Sequence, residues 1–263
     1  MADAPARVVI KADNITQQFQ VGDETITPIR SATFELLENS FNIIYGPSGS
    51  GKSTLLNILT GLQRPTSGTV TFDGHEVYNL ASDELAFFRA TRLGIVYQTN
   101  YWVNSLNCIE NVSIPLFFLG YSRQRAAEVA EFALDQVEMS AFAKKYPVLL
   151  SGGEQQRIAM ARALVSSPLF IVADEPTGSL DSVNGDKIMN LLRTAQQQNR
   201  RTIILVTHNM EYLPFADHLL HIEDGQVQQL QHDSIQKATD ELFEQMRRRV
   251  YRLNTIKNPG TVQ

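Results

Sequence analysis

What this sequence has little of narrows it first. A single cysteine, Cys108, stands among 263 residues. No internal disulfide can form, and the chain suits a reducing compartment. Cys108 itself reads as a small buried apolar residue. Long apolar runs are missing as well. The longest, Ile114 to Gly120, contains Pro115 and is far too short to span a bilayer. The opening residues Met1 to Arg7 carry an acid and a proline and lead into no apolar segment, so no targeting sequence is expected. A membrane role would then come through a partner, with the chain itself cytoplasmic. Excess positive charge is also absent: the formal net charge is −5, which disfavours nucleic acid as the main partner. There is no internal repeat, no low-complexity tract and no sustained heptad.

What is there describes an ordinary globular chain. Hydrophobic residues make up 43% and charged residues 19%, enough to bury a sizeable core in one large domain or a domain with a subdomain. The stretch Gly46-Pro47-Ser48-Gly49-Ser50-Gly51-Lys52-Ser53-Thr54 reads G-x-x-x-x-G-K-[ST]. Phe41–Tyr45 before it suits a buried strand and Leu55–Leu59 after it a helix, which is the context a P-loop requires. Glycines let successive N–H groups converge on a phosphate, and the helix N-terminus adds its positive dipole end. Lys52 is expected on the β/γ-phosphates and the Ser53 hydroxyl on Mg²⁺.

Ahead of this loop, residues 7–12, 15–20 and 29–36 read as strands, with a turn at Gly22-Asp23-Glu24. Thr69–Phe72 is a further strand and Asp73-Gly74 a hairpin turn. Residues 123–137 place Ala126, Val129, Ala130, Ala133, Leu134 and Val137 at helical spacing. Gly152-Gly153 precede a helix over 154–165, and another helix spans 183–198. Leu169–Ala173 and Thr202–Val206 are near-continuous apolar runs with that helix between them, the pattern of a parallel sheet buried on both faces. His218 to Leu230 is a terminal hairpin. The expected fold is thus α/β, a nucleotide-binding core interrupted by a mostly helical segment.

Other stations carry chemistry. Asp174 and Glu175 close an apolar strand, placing Asp174 as a Mg²⁺-associated carboxylate of the Walker B kind and Glu175 as a general base toward water. Ser151 before Gly152-Gly153 can cap a helix whose exposed N–H groups form a second anion-binding terminus.

Together the P-loop, Leu150-Ser151-Gly152-Gly153-Glu154-Gln155-Gln156, Asp174-Glu175 and His208 resemble the ATPase subunit of an ATP-binding cassette transporter, over roughly residues 7–232. The resemblance implies a P-loop NTPase (RecA-like) core with a mainly parallel sheet, an N-terminal antiparallel β subdomain and an inserted helical subdomain. It divides the chain into a core at 1–97 and 166–232, a helical subdomain with the signature motif at 98–165, and a C-terminal extension at 233–263. It also implies a head-to-tail dimer with a second copy, each ATP lying between one P-loop and the partner's Ser151-Gly152-Gly153-Glu154 stretch. Gln98 matches the Q-loop glutamine that touches Mg²⁺ and water. Ser179-Leu180-Asp181 matches the D-loop crossing the dimer interface, and His208 the switch histidine. Phe19 stands where the family stacks a tyrosine on adenine; phenylalanine keeps the ring face, and a core phenylalanine is the other reading.

Ala173 to Ser182, with Tyr146-Pro147 and Glu110-Asn111-Val112, resembles the branch of lipoprotein-releasing, macrolide-export and cell-division cassettes. That branch implies an integral-membrane permease partner on the inner face of the cell membrane. Ser179 departs mildly from its usual asparagine. Tyr101 and Trp102 are unusually aromatic after the Q-loop, with two readings: anchors for the permease or packing within the helical subdomain. Residues 233–263 suggest a basic amphipathic helix, meeting lipid or permease or packing on its own domain. A soluble cassette acting on ribosomes or DNA is the alternative. A cassette that binds ATP without turnover lacks support, since Lys52, Gln98, Ser151, Glu175 and His208 are all present.

Overall fold

A computed structural model describes residues 7–231, 234–237, 239–240 and 244. Its centre is a six-stranded sheet built from β3 (Phe41–Tyr45), β6 (Leu93–Val96), β7 (Phe170–Asp174), β8 (Thr202–Thr207), β9 (His218–Glu223) and β10 (Gln226–Gln231), in the order β10-β9-β3-β8-β7-β6. All neighbours are parallel except the β9–β10 hairpin at the edge. A second, antiparallel sheet has the order β2-β1-β4-β5, from β1 (Val8–Val21), β2 (Glu24–Leu37), β4 (Ser67–Phe72) and β5 (His75–Glu76). The expected α/β class with a mainly parallel sheet and an N-terminal antiparallel unit is what the chain forms.

The apolar runs fill two cores because side chains alternate across a strand. On β3, β7 and β8, Phe41, Ile43, Ile171, Ala173, Ile203 and Leu205 point into one cluster. Their neighbours Ile44, Phe170, Val172, Ile204 and Val206 point into the other. The second core is closed by the antiparallel sheet and by α1 (Lys52–Leu59), which buries Leu55, Leu56, Ile58 and Leu59. The first is closed by helices α3 (Cys108–Phe118), α4 (Arg123–Gln136), α5 (Gly152–Leu164) and α6 (Ser182–Asn199). A helix with this much apolar surface is held by its packing rather than by intrinsic propensity.

Several sequence expectations change. β1 is one strand of fourteen residues, not two. The break expected near Asp13 and Asn14 is a register shift inside it, with Asn14 at φ 48°, a left-handed conformation asparagine tolerates. Gly152 and Gly153 form the first turn of α5 instead of preceding it. Two helices went unread: α2 (Ser82–Arg92) and α3. α3 contains Pro115 and is apolar nearly all round, so neither a helical period nor an uninterrupted donor ladder marks it. Its start is nevertheless a capping box, with Asn107 Oδ1 accepting from the Glu110 N–H and Glu110 Oε2 accepting from the Asn107 N–H, both at 3.0 Å. The basic helix expected over 233–263 falls mostly outside the described residues. Within them residues 234–237 are helical and Ile235 is buried.

Candidate active site

The site collects at the C-terminal edge of the parallel sheet, where ligands of open α/β sheets bind. Four adjacent strands each deliver one station there. β3 leads into the phosphate loop, β8 into His208, β7 into Asp174 and Glu175, and β6 into Gln98.

The loop is backbone-tight. A Cβ on Gly46 would overlap the Ile222 carbonyl, and one on Gly51, at φ 107°, would overlap that of Pro28. Gly51 caps α1 with no side-chain hydrogen bond, so no side chain occupies the first helical N–H groups. The Lys52 ammonium is buried and donates to the carbonyls of Gly46 at 2.9 Å and Pro47 at 2.8 Å. Two of its three hydrogens thus hold the loop in shape. Ser50 Oγ is buried with no hydrogen-bond partner, the kind of orphaned polar atom a bound oxyanion would satisfy. Ser48 and Gly49 are exposed at the crest, Ser53 is exposed, and Thr54 is half-buried. Beside the loop runs a groove of about 590 Å³ lined by Ile26, Arg30, Ser48, Gly49, Ser50 and Asp224, among others. Phe19 pairs with Ile26 across the β1–β2 hairpin, so both share one face, and both are exposed. Phe19 is therefore not a core residue.

The acids meet the loop. The Asp174 carboxyl lies above the usual carboxylate range, because burial and the Glu175 charge disfavour ionisation while Lys52 partly opposes them. Glu175 takes φ 45° and donates its backbone N–H to the Val206 carbonyl at 2.9 Å. Its Oε2 lies 2.8 Å from His208 Nδ1, pairing a carboxylate that is 20% exposed with an imidazole that is 62% exposed. Gln98 Nε2 and Glu175 Oε2 both lie within 3.4 Å of the point where a Cβ on Gly178 would sit. A cleft of about 400 Å³ opens here, lined by Glu175, Thr177, Gly178, His208, Asn209 and Glu211, among others. Lys52, Gln98, Asp174, Glu175 and His208 thus lie together at one edge of the sheet.

The second glycine pair stands apart. Ser151 Oγ accepts from the Glu154 N–H at 3.4 Å, and Glu154 Oε2 accepts from the Ser151 N–H and hydroxyl, both at 2.8 Å. Those hydrogen bonds hold the Glu154 carboxyl below its usual range. Ser151 and Gly152 are exposed, and neither cleft described above is lined by any residue of 151–154. Inside the same chain this helix start packs elsewhere: Gly152 faces Leu180, and Gly153 lies so close to Asn184 that a Cβ would overlap its side chain. Asp181 caps α6, accepting from the Asn184 N–H at 2.9 Å and its side-chain amide at 2.8 Å, which lowers its carboxyl. Asn184 is a residue the sequence reading missed; only its spacing from Asp181, that of an N-cap and its N3 partner, hinted at it.

Trp102 is half-buried against the first core, donating Nε1–H to Gln155 Oε1 at 2.9 Å, so the packing reading holds for it. Tyr101 is exposed, with φ 48° and an edge-on contact to Tyr97.

The comparisons with known proteins agree with this fold. The profile of the ABC transporter family matches residues 29–178. An ABC transporter ATP-binding protein of Methanocaldococcus jannaschii, MJ0796, is 39% identical over 224 residues, covering 84% of this chain and 95% of that protein. The lipoprotein-releasing system ATP-binding protein LolD of Buchnera aphidicola is 37% identical over 220 residues, covering 84% of this chain and 96% of LolD. A dimeric structure of MJ0796 in a post-hydrolysis state, bound to ADP and Pi, superposes with a TM-score of 0.79 at 37% identity, covering 84% of this chain and 98% of that one.

Proposed function

The chain belongs to the ABC transporter family, and from that premise we propose that it is the ATP-hydrolysing subunit of a transporter of the LolD-like branch, working as a head-to-tail pair on a membrane permease. The observation that carries this reading is the convergence of Lys52, Asp174, Glu175, Gln98 and His208 on one sheet edge while Ser151–Glu154 lies outside both clefts there.

ATP would lie with its phosphates in the cradle of Gly46 to Thr54 and its base toward Phe19. The buried Ser50 hydroxyl and the uncapped start of α1 suit a triphosphate. Ser53, Gln98 and Asp174 would hold Mg²⁺; hydroxyl, amide and carboxylate oxygens suit a hard cation. When bound, the ion neutralises charge on the β- and γ-phosphates. Glu175, oriented by His208 at 2.8 Å, would accept a proton from the attacking water. Ser151, Gly152 and Gly153 of a second copy would close on the γ-phosphate, with Asp181 at the same interface. Catalysis then rests on positioning and charge stabilisation.

Among the described residues no helix is long and apolar enough to cross a membrane. Attachment on the inner face of the cell membrane would come through the permease, for which exposed Tyr101 is a candidate contact. The core at 1–97 and 166–232 and the helical unit at 98–165 would be the moving parts, with 233–263 an accessory.

Glu175→Gln tests the reading. It should retain ATP binding and accumulate an ATP-bound dimer by size-exclusion chromatography while turnover falls by about a hundredfold. Undiminished turnover would contradict the role of Glu175 as base.

A further inference from the structure

Helix α5 grips the chain on both sides of Gln98. Gln156 Nε2 donates to the Tyr97 carbonyl at 3.3 Å, and Arg162 Nη2 donates to the Asn100 carbonyl at 2.6 Å. Trp102 Nε1 donates to Gln155 Oε1 at 2.9 Å, and the Arg162 guanidinium lies over the Trp102 ring, 4.6 Å from its centroid. Gln155 then donates from Nε2 to the carbonyl of Leu150 at 3.0 Å, the residue just before Ser151. From the other end of this segment, Gln98 lies against Gly178, and two residues further on Leu180 lies against Gly152.

These contacts, together with the chain between Gln98 and Trp102, Gly152 and Gln155, and Gly178 and Leu180, close a ring through three motifs. We propose that Trp102 is a positioning residue in this ring. Its indole hydrogen bond ties any displacement of Gln98 to the attitude of the Ser151–Glu154 helix start, so nucleotide at one site sets how the signature is presented to the other copy. The inference rests on the proposed function above.

The indole suits this work. It is a rigid plate with one donor and no acceptor. Arg162 over its face penalises rotation, because turning the ring forfeits the cation–π contact. Its N–H is already committed within the chain, which leaves it little to offer a permease.

Trp102→Phe keeps a smaller aromatic face for Arg162 and removes the N–H along with part of the ring surface. Gln155→Met keeps the chain length and deletes both the acceptor for Trp102 and the donor to the Leu150 carbonyl. Each should lower kcat by about fivefold, the worth of one hydrogen bond. ATP affinity of the unassembled subunit and the melting temperature should stay near those of the parent. The double variant should be no worse than Gln155→Met alone, because that change already breaks the link that Trp102→Phe breaks. Trp102 is also the only tryptophan in the chain. Its fluorescence emission should therefore shift when ATP and Mg²⁺ are added to Glu175→Gln, although the indole lines neither cleft of the candidate site.

Unchanged kcat, additive losses or unmoved emission would overturn the proposal. So would a loss of kcat that tracks a loss of melting temperature, which marks packing alone. Lys52→Ala and Glu175→Gln separate the two failures. If both retain turnover, the reading of the site is wrong. If both abolish it while Trp102→Phe turns over like the parent, only the role of Trp102 is wrong.

Discussion

The two glycine-rich helix starts of this chain are similar in composition and opposite in construction. α1 begins at Gly51 with no side-chain cap, beside a buried lysine and an orphaned serine hydroxyl. α5 begins at Ser151 with a complete capping box, and its Glu154 carboxyl is held low by hydrogen bonds from Ser151. The first start leaves its N–H groups free of any side-chain cap. The second has satisfied part of its own N–H set and carries a negative charge that offsets the helix dipole. Alone it is a poor phosphate site. The difference teaches that the two halves have an order: α1 with Lys52 would take the nucleotide first, and α5 of a second copy would close only on phosphates already held.

Removing the open half should have the largest effect. Lys52→Ala withdraws the cation and frees the Gly46 and Pro47 carbonyls that it holds. Turnover should fall by about a hundredfold or more, with ATP affinity falling too in an equilibrium binding measurement. Retained binding would mean that the α1 start is not the primary phosphate site.

Asp174 supplies a second contrast, between function and stability. Burial and Glu175 raise its pKa in the folded chain. Folding is therefore favoured most below the ordinary carboxylate range, and that contribution is lost as pH rises through the raised value. Above the raised value the ionised group opposes folding. Asp174→Asn should accordingly raise the melting temperature of the nucleotide-free protein by a few degrees while lowering Mg²⁺-dependent turnover, by less than Lys52→Ala does. A lowered melting temperature would show the carboxylate to be a stabilising partner of Lys52 instead.

The smallest expected effect sharpens the comparison most. Glu154→Gln keeps the capping geometry and removes the charge from the α5 start. ATP-dependent dimerisation should tighten a few-fold by analytical ultracentrifugation, since the dipole is no longer offset. Weaker dimerisation would mean that the carboxylate itself serves the interface.

The features legible in the sequence were those written in a contiguous stretch. The P-loop, the acids at the end of β7 and His208 after β8 each sit at a strand end, and a buried parallel sheet places its strand ends together. The helix start at Ser151 was legible for the same reason, because a capping box is local. α3 was hidden by Pro115 and by burial that erases the helical period. The single course of β1 was hidden by its register shift at Asn14. Asn184 against Gly153 and Trp102 on Gln155 are contacts between distant segments, which no spacing reports. Trp102 in particular offered an aromatic without a direction. Its N–H partner, fifty-three positions away, supplied one.

The central claim is that the α1 start and the α5 start act on one nucleotide from different copies. Mixing Lys52→Ala with Ser151→Arg tests it most directly. In a mixed dimer one site then carries both lesions and the other carries neither. Each variant alone should be inactive. An equimolar mixture should regain on the order of a quarter of parental turnover, since half the dimers are mixed and each has one intact site. A mixture as inactive as its components would contradict the claim and place both motifs in the service of their own chain.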